Sequence, residues 1–257
     1  MAIRSFWSNS TNNFGDTLTP WLLSKLGYKS KWVKRGAPNK LLAVGSIIQS
    51  IVSGDIVWGS GSFGRLRKGL VFLNIPENVI FLAVRGPKTK NIFNPEVRDR
   101  IPNIFGDPGL LVSSYYKPTI KKQYKIGIIP HEIEKDIQPI NDSSIKWIDI
   151  NSGIKQVIDD INSCEIILSS SLHGIIAAES YGIPTGWIKM SDKIIGNTFK
   201  FQDYYLSTGR NEQKFIKWEG RSTLLSVDKK LQDQIDLNKV SQIKDVLTTA
   251  FYSHYRR

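Results

Sequence analysis

The sequence predicts an α/β architecture of two doubly wound domains, residues 1–118 and 119–257, with an amphipathic helix at the end. Three observations carry that prediction. Short apolar strands alternate with helical patterns, an order that implies parallel sheets joined by right-handed crossovers. Polar or glycine-rich turns follow the strands, at the edge where open α/β sheets bind ligands. The stretch Ser113-Ser114-Tyr115-Tyr116-Lys117-Pro118 has no clear periodicity, ends in proline and reads as an interdomain linker.

The elements follow in order. Asn13-Phe14-Gly15-Asp16 precedes a helical pattern carrying Leu18, Leu22, Leu23 and Leu26, closed by Gly27. Strands are expected at 41–44, 55–58, 79–83 and 103–105, punctuated by Gly45 and by Gly59-Ser60-Gly61. In the second block, 124–129 and 147–150 read as strands and 153–163 as a helix. The most informative segment comes next. The apolar run Ile166-Ile167-Leu168 ends in Ser169-Ser170-Ser171, then Leu172-His173-Gly174. Small and apolar residues then resume at helical spacing until Gly182 and Pro184 stop them. Strand, polar turn and helix place His173 near a helix N-terminus, which offers unpaired N–H groups to anions. In the terminal helix, Val240, Ile243, Leu247, Ala250 and Phe251 share one face. No internal repeat is visible.

Composition bounds the class. Hydrophobic residues make up 40% and charged residues 23%, as in a soluble globular protein. No run reaches the roughly 18 apolar residues of a membrane span. The opening residues lack the apolar core of a signal peptide. One cysteine, Cys164, leaves no internal disulfide and no cysteine-based zinc site. The expected compartment is the cytoplasm. The net charge of +12 is uneven, with 16 Lys/Arg against 6 Asp/Glu in residues 1–118 and 19 against 17 thereafter. A basic half suggests an anionic partner such as nucleic acid, anionic lipid or a phosphorylated substrate. The clusters from Lys29 to Arg35 and from Arg65 to Lys68 either touch a membrane surface or form a solvated face.

Several residues could carry chemistry. Asp16 is either a helix N-cap or a carboxylate able to take a proton from a hydroxyl. Gly59 and Gly61 let the backbone approach a ligand closely, although neither a Walker loop nor a full dinucleotide fingerprint is present. Arg85 directly follows an apolar strand, where its fork suits a carboxylate or phosphate, or else a strand-end salt bridge. Gly106-Asp107-Pro108-Gly109 carries a turn signature. His131 also lies just beyond a strand. Histidines this far apart, with no acidic partner at ligand spacing, give no metal site.

Taken together, these motifs are more specific than any one alone. Asn13-Phe14-Gly15-Asp16, Gly59-Ser60-Gly61, Val84-Arg85-Gly86, Gly106-Asp107-Pro108 and Ser171-Leu172-His173-Gly174 with Gly182-Ile183-Pro184 occur in this order. The chain resembles the polysaccharide pyruvyltransferase family over roughly residues 9–210. The resemblance is closest to the compact members that decorate bacterial exopolysaccharide repeat units, such as the xanthan-type ketal pyruvyltransferases. It implies two Rossmann-like domains facing a cleft, as in GT-B glycosyltransferases. It also implies phosphoenolpyruvate as donor and a pair of sugar hydroxyls as acceptor, with no cofactor and no metal. Carried over by position, Arg85 is the donor-binding arginine, His173 the histidine of the helix turn, and Lys193 the downstream basic residue. Ser171 stands where many members have arginine.

The expected reaction moves pyruvate from phosphoenolpyruvate to a sugar, forming a cyclic ketal and releasing phosphate. His173 is the expected general acid and Asp16 the expected general base. Arg85, Lys193, Ser171, Asn13, Gly59, Gly61 and His131 are expected around the substrates. By fold analogy the first domain takes the acceptor, carried on a lipid diphosphate at the inner face of the plasma membrane. Two other readings are a GT-B nucleotide-sugar glycosyltransferase and a non-enzymatic binder of nucleic acid or an anionic surface. The absence of helix-turn-helix, RNA-binding and zinc-finger signatures counts against nucleic acid.

Overall fold

The computed structural model describes residues 2–9, 12–64, 75–194, 197–225, 227, 231 and 234–255. In chain order the elements of the first half are β1 (Ala2–Phe6), α1 (Phe14–Lys25), β2 (Lys29–Trp32), β3 (Leu41–Leu42), β4 (Ile56–Trp58), β5 (Ile80–Ala83), α2 (Pro87–Asn91), α3 (Pro95–Arg100) and α4 (Val112–Tyr115). There follow β6 (Tyr124–Ile129), β7 (Ile145–Trp147), α5 (Ile154–Asn162), β8 (Cys164–Ser169), α6 (Leu172–Ser180), β9 (Thr185–Lys189), α7 (Asn197–Ser207), β10 (Ile216–Lys217), α8 (Arg221–Leu225) and α9 (Leu237–Tyr255).

The strands form two five-stranded sheets, ordered β2-β1-β3-β4-β5 and β10-β9-β8-β6-β7. Every pairing is parallel. This is the α/β class that the alternation of elements predicts. Counted from its own first strand, the second sheet runs 2-1-3-4-5, as the first does. The topology therefore repeats where the residues do not. In such a sheet, strand order reverses between the first and third strands, and ligands bind in the crevice beyond their carboxyl ends. Those crevices lie at β1/β3 and β6/β8.

One apolar cluster joins the two halves. It holds Phe14, Leu18 and Leu22 of α1, Trp58 of β4, Leu110 and Leu111, Val157 and Ile161 of α5, and Ile175 and Ile176 of α6. It also holds the buried face of α9, which is Val240, Ile243, Leu247, Ala250 and Phe251, the stripe that the sequence pattern predicts. Although α9 follows the second sheet in sequence, it packs on β4 and β5 of the first. There Trp58 Nε1 donates to Leu247 O at 2.8 Å, and the Trp58 and Phe251 rings lie 4.7 Å apart.

Other elements differ from the sequence reading. The expected strand at 103–105 is a single bridge, Val84 to Phe105. The strand expected at 147–150 is β7, which ends at Trp147. Lys29–Trp32, read as part of a charged run, is the edge strand β2 and is mostly exposed. The expected linker is pinned down rather than loose. It begins in α4, Ser113 Oγ donates to Ser180 O at 2.6 Å, and Tyr181 donates to Tyr116 O at 2.7 Å. The basic cluster from Arg65 to Lys68 lies outside the described residues. Among the described residues, no helix is long and apolar enough to cross a membrane.

Candidate functional site

Asn13 caps α1, a place the sequence also offered to Asp16: its Oδ1 accepts from Gly15 N at 3.0 Å. Its Nδ2 reaches across to Glu132 Oε2 at 3.2 Å, tying the turn after β1 to the turn after β6. Asp16 therefore stands inside the first turn, with its carboxyl free of capping. Burial raises that carboxyl to about 6; His173 pulls it down, Glu132 pushes it up, and a hydrogen bond from Ser8 lowers it.

His173 is the second residue of α6, just beyond β8. Its ring lies against the first turn of α1, where a Cβ on Gly15 would stand 1.9 Å from Nδ1. Glycine is the residue that lets the two halves meet there. On the ring's other side, Nε2 is 3.7 Å from Asp107 Oδ2, a carboxylate with no exposed surface. Asp107 keeps its turn role, because Oδ1 accepts from Gly109 N at 2.9 Å. Its Oδ2 and His173 Nε2 are both buried without a hydrogen-bond partner among the described residues. Asp107 thus backs the imidazole, a contact the turn signature did not reveal.

The serine turn after β8 is built in layers. Ser169 Oγ accepts from Ser171 N at 3.0 Å and donates to Ile129 O at 3.0 Å. Ser170 Oγ accepts from His131 N at 2.9 Å and donates to Glu134 Oε2 at 2.5 Å. Ser171 occupies the N-cap position of α6, and its hydroxyl caps nothing. His131 is held neutral, pushed down to about 4 by burial and then by the charges of Lys200 and His173.

Arg85 is fully buried, and its fork is occupied. Nε meets Asp203 Oδ2 at 3.1 Å, Nη1 donates to Ser46 Oγ at 2.7 Å, and Nη2 donates to Ser62 O at 2.6 Å. Gly61 lets this guanidinium pass, since a Cβ there would stand 2.1 Å from Arg85 Cζ. Gly59 makes a similar approach to Pro108, with φ +80. Both glycines serve internal contacts. Asp203 lies on α7 and also accepts from Thr89 N at 2.9 Å and from Thr89 Oγ1. Lys193 is exposed, two residues past Ser191, and its backbone N–H donates to Ser191 Oγ at 3.2 Å.

The structure thus gathers Asn13, Asp16, His131 and His173, and adds Glu132, Asp107 and Lys200. Lys200, on α7, is buried, and its charge is felt by Arg85, Glu134 and Glu132. Among the described residues, no three His, Cys, Asp or Glu side chains gather as a metal site requires.

The profile of the polysaccharide pyruvyl transferase family matches residues 51–192, more than half of the chain. The chain belongs to that family. Within the family span fall Arg85, Asp107, His131, Ser171 and His173, whereas Asp16, Lys193 and Lys200 lie outside it. Two curated proteins are similar to this family member. The succinoglycan biosynthesis protein ExoV of Rhizobium meliloti is 28% identical over 218 residues, 79% of this chain and 64% of that one. The uncharacterized protein L143 of Acanthamoeba polyphaga mimivirus is 29% identical over 184 residues, 68% of this chain and 62% of that one. The chain therefore spans less than two thirds of the length of both relatives. A solved structure of an uncharacterized Klebsiella pneumoniae protein shares the fold. It has a TM-score of 0.50 and 16% identity, and the match covers 85% of this chain and 93% of that one.

Proposed function

We propose that this pyruvyl transferase family member moves the pyruvyl group of phosphoenolpyruvate onto two hydroxyls of one sugar in a polysaccharide repeat unit. The product is a cyclic ketal, and phosphate leaves. The observation that carries this reading is the meeting of Asp16 and His173 from the ligand edges of the two sheets. One is a carboxyl raised to about 6, the other an imidazole backed by the buried Asp107.

The chemistry needs an acid and a base acting together. His173 delivers a proton to the methylene carbon, making it a methyl group. The first sugar hydroxyl adds to the adjacent carbon as Asp16 takes its proton. The second hydroxyl then attacks the same carbon, the bond to the phosphate oxygen breaks, and that hydroxyl's proton leaves with phosphate. The proton on Asp16 returns to His173, which its closeness allows. Nε2 is enclosed against Asp107, so Nδ1, on the side of the first turn of α1 that carries Asp16, is assigned to the substrate. The N-terminus of α6 adds a positive dipole for the donor's anions.

A cavity of about 430 Å³ beside this pair is lined by His131, Glu132, Trp147, Asp149 and Asn151. It offers an indole and carboxylates to a sugar ring, which supports an acceptor lying along the second half. The basic first half fits a lipid-diphosphate carrier at the inner face of a membrane. The test is phosphate release from phosphoenolpyruvate on adding a panel of lipid-linked oligosaccharides, with the ketal followed by mass spectrometry. Tight binding of nucleotide diphosphates without binding of phosphoenolpyruvate would replace this reading with nucleotide-sugar transfer.

A further inference from the structure

Two lysines are buried among the described residues, and they are treated differently. Lys40 Nζ donates to Asp55 Oδ2 at 2.5 Å and to Ser50 O at 2.9 Å. Lys200 is 6% exposed, yet its ammonium makes no hydrogen bond among the described residues. Its contact is with the ring of Phe201, whose centroid lies 5.5 Å away. An ammonium carries three donors, and enclosing it without protein acceptors is unfavourable. Nζ is not among the fully buried unpartnered atoms, so this side chain keeps its charged end at the edge of solvent.

The surroundings sharpen the anomaly. Lys200 and Asp203 are three residues apart on α7 and so share a face. Asp203 is already taken by Arg85 and Thr89. Glu134 already accepts from the hydroxyls of Ser170 and Ser191. Arg85 repels the ammonium. Two buried cations therefore stand together with their nearby carboxylates engaged elsewhere. Burial first, and Arg85 second, hold Lys200 down to about 8. An anion with several acceptor oxygens would match this pair of cations.

We infer that Lys200 is the cation that receives the phosphate group of the donor, in a site closed by His131 and by the Arg85–Asp203 tie. This rests on the donor reading above. Lysine suits phosphate as a compact point charge, whereas a planar carboxylate favours an arginine fork. Phosphate also gains charge as its bond to carbon breaks, and a preorganised buried ammonium stabilises that charge most.

The experiment is isothermal calorimetry on the full chain, wild type and Lys200→Met, with phosphoenolpyruvate, inorganic phosphate and pyruvate as separate probes. A charge-assisted contact is expected to be worth about 10- to 150-fold in affinity. Lys200→Met is expected to lose that much for phosphoenolpyruvate and phosphate, with pyruvate unchanged. Its unliganded melting temperature should not fall below that of the wild type, because an enclosed ammonium without a protein acceptor has gone. A merely structural lysine would not give that combination. Lys200→Gln serves if the methionine variant fails to fold. Equal phosphate affinity in variant and wild type overturns the inference, as does a loss confined to pyruvate. If the wild type binds neither phosphate nor phosphoenolpyruvate, the site does not exist. Binding of phosphate alone, lost in the variant, upholds Lys200 while the donor reading fails.

Discussion

His173 keeps its place through a residue with no side chain. Gly15→Ala would ordinarily favour a helix by about 1 kcal/mol. Here the added Cβ would stand 1.9 Å from the imidazole, so the ring must move off Asp16. We expect kcat to fall about 100-fold or more with the melting temperature little changed, measured by phosphate release and calorimetry. Asp16 and Lys200 should set the pH profile. Asp16, facing His173, Glu132 and Ser8, must be ionised to act as base, so kcat/KM should rise through about pH 6. Lys200, facing Arg85, Glu134 and Glu132, must be charged, so kcat/KM should fall through about pH 8. An alkaline limb that survives in Lys200→Met would belong to another group. Stability follows with its own sign. A carboxyl raised in the folded state makes a favourable contribution below the unfolded value near 4, and that contribution is lost as pH rises to about 6. Asp16→Asn should therefore be more stable at pH 7 by on the order of 2 kcal/mol, with the gain absent at pH 3.5 in urea titrations. Asn13, Asp16, His131 and His173 were legible in the sequence because each follows a strand. Lys200 was not, since a lysine in a helical pattern reads as surface until its burial is known. The strand-end position of Arg85 was legible too, but its partner Asp203, 118 residues further on, was not.

Among the elements, α7 is one that fastens the halves at the site. It carries Asp203 onto Arg85 and α2, and it presents Lys200 one turn away. Asp203→Asn leaves a buried guanidinium without its counter-charge, a change typically costing about 3–5 kcal/mol. We expect a loss of that size in denaturant unfolding, and a stability within 1 kcal/mol of wild type would show that Arg85 finds another partner. Nothing in the sequence marked α7, because its charged residues Lys200 and Asp203 turn inward rather than outward to water. The strand β6 was legible to the residue, being apolar and central. The edge strand β2 was not, because an exposed edge carries the same lysines as a solvated loop. Strand β1 escaped for a related reason, since only Ile3 and Ser5 of its five residues are buried.

At the scale of the whole molecule, a topology repeated without sequence similarity and an apolar cluster shared by both halves describe one cooperative body. Leu247→Ala, in α9, should cost about 2–5 kcal/mol, as for a fully buried leucine. Because the cluster is shared, far-ultraviolet dichroism and tryptophan fluorescence should shift together in urea; two separate transitions would divide the halves energetically. The return of α9 to Trp58 also has a bearing on synthesis. All five strands of the first sheet are translated by residue 83, but the helix that covers Trp58 begins at Leu237. At roughly 5–20 residues per second, the ribosome leaves that apolar face open for roughly 10–30 s. Over that interval the nascent first half is a natural client for a chaperone, released when the last turns of α9 emerge.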